Sequence, residues 1–114
     1  FTYRIASGEN QDFEVSTPEK YLEKAQEMLY TYEPMAKGYD FPLSKKGELE
    51  SLIHEDLNTA KTKLLEARAS YLGFFKENPD AIIKNVVFGD LNKFEWYLLE
   101  RKHLNYHFEQ FGLL

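Results

Sequence analysis

The residues with the clearest chemical potential are two histidines near the C-terminal end of the chain, His103 and His107. A separation of four places them one above the other on the same face of a helix. Two imidazoles so arranged can turn ring nitrogens toward one metal ion, provided other elements supply the remaining ligands. Glu100, one turn before His103, adds a Glu-x-x-His spacing that recurs in the carboxylate-rich metal sites of helix bundles. Spacing alone leaves a second reading open: two partly buried core histidines whose polar atoms are satisfied by neighbours, because buried polar groups left unpaired are costly. Glu100 then reads as a solvated carboxylate, or as one that orients a ring N–H of His103. Gln110 reads either as a partner of the histidines or as a structural hydrogen bonder. His54 sits beside Ile53, off the apolar seam described below, and reads as a surface residue.

These side chains need a helix, and the sequence marks one. Asn92 is a good N-cap, and Glu95 three residues later can reach back to it in a capping box. Leu91 and Trp96 occupy the two positions of a hydrophobic staple, and Gly112 sits where a left-handed C-terminal cap belongs. Trp96, Leu99, His103, Tyr106 and Gln110 recur at spacings of three and four, so both histidines fall on or beside the expected buried stripe. Trp96, Phe94 and Phe111 read as core.

Upstream, FTYRIASGEN reads as the end of a helix closed by Gly8, with Phe1, Ile5 and Ala6 as its apolar face. This predicts that one or more helices precede Phe1 in the parent protein. Residues 9–17 read as a loop. Thr17-Pro18-Glu19 is a helix start, followed by Tyr21, Leu22, Ala25, Met28, Leu29 and Tyr32 on one face. Residues 34–47 form a loop with Tyr39, Phe41 and Leu43 as anchors. The longest periodic segment runs from Glu48 to Glu77, with Ile53, Leu57, Ala60, Leu64, Ala67, Tyr71 and Phe74 at heptad spacing. Such a helix is about 45 Å long and ends at Asn78-Pro79. Glu55, Asp56, Lys61 and Lys63 form its solvated face. Residues 80–91 are apolar and read as an unpaired strap across the end of the helices, too short to make a sheet.

Composition narrows the function classes. At 114 residues the chain is one domain, and 43% hydrophobic with 29% charged residues is the balance of a globular protein. A net charge of −5 without clustered Lys and Arg argues against nucleic acid as a partner. No apolar run approaches the ~18 residues of a membrane span, and no signal peptide is visible. With no cysteine, thiolate ligands and a cysteine nucleophile are excluded, and a cytoplasmic setting fits. Gly-rich phosphate loops, serine-nucleophile motifs and paired catalytic carboxylates are absent from the sequence.

Over its last thirty residues or so the chain resembles the DinB-like (YfiT-like) superfamily of four-helix, metal-dependent proteins. The resemblance is carried by Phe88, Gly89, Leu91, Glu95 and Trp96, and then by Lys102, His103, His107, Gln110, Phe111 and Gly112. Tyr106 stands where that phrase has an adjacent histidine, and Asn85-Val86 stands where it often has His-Pro. The resemblance implies an all-α, antiparallel up-and-down helix bundle, here as a single domain spanning 1–114 that is incomplete at its N-terminal side. It implies that His103 and His107 hold a divalent metal such as zinc, nickel or iron. A third histidine would come from an earlier helix, aligned just upstream of Phe1. It further implies a thiol-dependent transferase taking a small thiol and an electrophilic substrate. The rival expectation is a non-enzymatic helical module, self-associating as a homodimer or binding another partner, in which the metal site is vestigial.

Overall fold

Backbone groups that lack a regular partner explain much of how this chain is put together. The computed structural model describes residues 2–35 and 56–113. Within them, helices α1 (Thr2–Ala6), α2 (Glu19–Leu29), α3 (Leu57–Glu77) and α4 (Lys93–Gln110) surround one short hairpin, β1 (Ile83–Asn85) and β2 (Gly89–Leu91). The fold is predominantly helical, as expected from the sequence. The hairpin is a correction, because residues 80–91 do pair: Ile83 opposes Leu91, Lys84 opposes Asp90 and Asn85 opposes Gly89, antiparallel.

The turn between the strands is made by its flanks. The Asn85 side-chain oxygen accepts from the N–H groups of Val87 (2.8 Å) and Phe88 (3.0 Å), replacing the backbone pairing that the loop cannot make. Gly89 then adopts φ +71°, the left-handed conformation that closes a three-residue hairpin loop. Side chains from the rest of the chain capture the hairpin's remaining polar groups. Gln11 both accepts from the Lys84 N–H and donates to its carbonyl. The Ser16 N–H donates to the Val86 carbonyl at 2.7 Å, Gln26 donates to Phe88 O at 2.6 Å, and the Trp96 indole N–H donates to Ile83 O at 3.1 Å. A loop, α2 and α4 are thus tied to one two-stranded element.

The helices pack in pairs about it, α1 against α3 and α2 against α4, with α1 also on β1 and α4 on β2. Ile5, Ala6, Leu29, Tyr71, Phe75, Leu91, Trp96 and Leu99 form the buried core. The stub at the N-terminus and the Gly8 closure stand as expected, with Gly8 at φ +85°.

Other boundaries shift. Pro18 is the residue before α2 and its capping position carries no side-chain hydrogen bond, so the helix starts one residue later than Thr17-Pro18 suggests. The long helix is described from Leu57, capped by Asp56, whose carboxylate accepts from the Thr59 N–H at 2.7 Å. Its 21 residues span roughly 31 Å. Residues 48–55, including Ile53, His54 and Glu55, and the anchors Tyr39, Phe41 and Leu43 lie outside the described residues. The heptad seam is buried only near its C-terminal end: Tyr71 is buried, Phe74 half-buried, and Leu57 and Leu64 are exposed. Phe75, off that seam, is buried instead. The same thinning affects α2, where Leu29 is buried but Tyr21 and Met28 are exposed. Phe94 and Phe111, read as core, are also exposed.

Two glycines give opposite expectations. A Cβ at Gly89 would lie 3.0 Å from the Leu22 side chain at a positive φ, so Gly89→Ala should lower unfolding free energy by about 1–3 kcal/mol. A Cβ at Gly73, inside α3, meets nothing within 4 Å, so Gly73→Ala should raise it by about 0.5–1 kcal/mol. Urea denaturation of the two variants beside wild type checks both signs.

Candidate functional site

The site is built on the C-terminal half of α4, so its geometry begins with what fixes that helix. At the N-terminal end the full capping box forms: Asn92 Oδ1 accepts from the Glu95 N–H at 2.9 Å, and Glu95 Oε1 accepts from the Asn92 N–H at 3.0 Å. Leu91 and Trp96, the staple pair, are both buried in the core. At the C-terminal end Gly112 takes φ +72°, and the N–H groups of Gly112 and Leu113 return to the carbonyls of Glu109 and Phe108. That pair of bonds is a Schellman closure. Both ends thus match the reading of the sequence.

Midway along, Glu100 anchors the helix sideways. Its carboxylate accepts from the Arg68 guanidinium of α3 at 3.1 Å, with the glutamate side chain only 9% exposed and the arginine 44%. Tyr3 of α1 and Tyr71 of α3 stand close by. Burial, and then the Glu100 charge, raise the Tyr3 pKa and push that of Tyr71 up to about 12. Both phenols therefore remain protonated at neutral pH. Among the described residues, the second Glu100 oxygen is buried without a hydrogen-bond partner. This overturns the two readings of Glu100 as a solvated carboxylate or an orienter of His103. Its partner is a cation on another helix. Arg68 carries no local sequence signal for this role, because the pair is separated by 32 positions.

One turn further, the two histidines do meet. His103 Nε2 and His107 Nε2 lie 2.9 Å apart, with ring centroids separated by 4.6 Å. His103 is half-buried, whereas His107 is exposed. Burial lowers the His103 pKa below the ordinary histidine value, and the adjacent His107 adds to the fall, which favours the neutral ring that a metal requires. Tyr106 sets its ring edge-on to His107 at 5.3 Å. Gln110 Oε1 lies 3.1 Å from His107 Nδ1, so the glutamine is a direct partner of the pair.

Two bonds of ~2.0–2.1 Å at a tetrahedral zinc separate their nitrogens by about 3.3 Å. The observed separation of the two Nε2 atoms, 2.9 Å, is within a small ring adjustment of that value. Two imidazoles at this separation can supply two of the ligands that one such ion takes. Among the described residues no group of three or more His, Cys, Asp or Glu side chains is placed to hold a metal. A metal held by this pair would need further ligands from outside the described residues or from solvent. His54, the remaining histidine, is also outside the described residues.

No family model matches the chain, and neither a curated protein nor a solved structure matches it. Among the described residues, no helix is long and apolar enough to cross a membrane.

The Arg68–Glu100 pair yields a specific expectation. Arg68→Met leaves a buried carboxylate without its cation and should cost about 2–4 kcal/mol in unfolding free energy. Adding Glu100→Met should recover most of that loss, since the charge to be compensated is then gone. A double-mutant cycle by urea denaturation measures the coupling, and simple additivity of the two losses would show that the pair contributes little.

Proposed function

We propose that the chain is a metal-binding domain of DinB-like type, in which His103 and His107 hold a divalent ion such as zinc, nickel or iron. The observation that supports this reading best is the convergence of the two Nε2 atoms, 2.9 Å apart, on a helix fixed at both ends and clamped at Glu100. His103 supplies a ring held at the margin of the core, and His107 supplies one open to solvent. The exposed side leaves room for a third ligand from outside the described residues and for a small molecule. When bound, the ion would act as a Lewis acid and lower the pKa of a coordinated thiol or water. Transfer of a small thiol onto an electrophile is the activity proposed, by analogy with the family the sequence resembles.

The test is metal content by mass spectrometry on protein purified without a polyhistidine tag. Near-stoichiometric metal is expected in the wild type, lost in His103→Ala/His107→Ala with only a modest change in stability. Equal metal in both proteins, or none in either, would sink the reading.

A second reading has its own observation. On α3, Leu57, Leu64, Leu65 and Leu72 are all exposed, an apolar stripe suited to self-association or to a protein partner. A non-enzymatic module with a vestigial site would give a metal-free homodimer. Size-exclusion with light scattering distinguishes it, a metal-loaded monomer being the outcome against it.

A further inference from the structure

Phe94 reads as core in the sequence but stands 55% exposed, and its surroundings give the ring another use. It forms part of one wall of an open cleft of about 720 Å3 between the end of α3, residues 79–82 and the first turn of α4. Tyr97, one turn on, continues that wall, with the two ring centroids 6.4 Å apart. Tyr71 and Phe75 of α3, both buried, meet edge-on at 5.6 Å and line the cleft from the core side. A concave site of this size and lining suits a small molecule. Rings on two sides favour an aromatic one, which they can meet edge-on or by offset stacking.

Two charges at the same cleft narrow the class further. Asp80 and Lys93 both line it, and neither side chain has a hydrogen-bond or ion-pair partner among the described residues. A ligand that answers both carries a cationic and an anionic group beside its ring. We propose that the cleft binds a free aromatic amino acid, with its ammonium toward Asp80, its carboxylate toward Lys93 and its ring against the aromatic lining. An aromatic residue inside a peptide would bring uncharged amides in place of both groups and leave Asp80 and Lys93 unanswered. The proposal is independent of the metal site, because Lys93 precedes His103 by ten positions, about 15 Å along the helix.

The experiment is a titration of the full, 15N-labelled chain with L-tryptophan at neutral pH, followed by amide chemical shifts. Saturable shifts are expected at Lys93, Phe94 and Tyr97. Tryptamine, which lacks the carboxylate, and indole-3-propionate, which lacks the amine, should each bind about tenfold more weakly. Asp80→Asn should weaken tryptophan by about the same factor without weakening indole-3-propionate. Lys93→Met should weaken tryptophan without weakening tryptamine. Both positions are exposed, so the fold is retained in each variant. The His103→Ala/His107→Ala double variant should bind tryptophan as the wild type does.

The absence of saturable shifts in the wild type would overturn the proposal, as would equal tryptophan binding by wild type, Asp80→Asn and Lys93→Met. N-acetyl-tryptophanamide binding as tightly as tryptophan would overturn it in favour of an aromatic residue carried by a peptide.

Discussion

The two-stranded hairpin depends on an exchange of hydrogen bonds that three residues per strand cannot complete by themselves. Each strand can pair on one side only, and a short isolated hairpin is marginal in water. Here the unpaired groups are met by side chains from elsewhere: Gln11 on Lys84, Ser16 on Val86, Gln26 on Phe88 and the Trp96 indole on Ile83. The hairpin thereby sets where the first loop runs and how α2 and α4 approach each other. Burial of Leu91 and Trp96 beneath it combines the apolar contribution with the polar one at the same point in the fold. Loss of these contacts would loosen several chain segments at once, since the first loop, α2 and α4 all bond to the hairpin.

From that point the helices separate into two pairs, joined by the shared apolar core and by one ion pair. Arg68 reaches Glu100 from α3 to α4, while Tyr3 packs on Tyr71 at 5.4 Å within the α1–α3 pair. A carboxylate buried to this extent is stabilising only while its cation stays in place, because desolvation of the ion is costly. The pair is therefore better understood as fixing the lateral position of α4 than as a source of net stability. That fixing matters one turn further on, where a slip of α4 would carry His103 away from the margin of the core.

The site inherits a gradient along α4. Trp96 and Leu99 are buried, His103 is half-buried and His107 is exposed, so the helix leaves the core as it reaches the two histidines. One ring gains rigidity and desolvation, and the other gains access to solvent. For the metal site proposed, a ring held at the core margin would reduce the ordering cost of binding and an open side would admit other ligands.

What the sequence determined by itself was local. The capping box at Asn92 and Glu95, the staple of Leu91 and Trp96, the closure at Gly112 and the facing of His103 and His107 all follow from spacings of at most five residues, where helix geometry dictates the outcome. Helical class was equally legible from apolar periodicity. The hairpin was not, because its turn is made of Val86, Val87 and Phe88, apolar residues that read as part of one unpaired strap, with the turn-forming work assigned to Asn85 and Gly89 at its flanks. The partner of Glu100 was not legible either, since pairing with Arg68 depends on how two helices lie together. Nor was the exposure of Leu57, Leu64, Phe94 and Phe111. Periodicity states which residues share a face, and only the tertiary arrangement decides how far along each helix that face is covered.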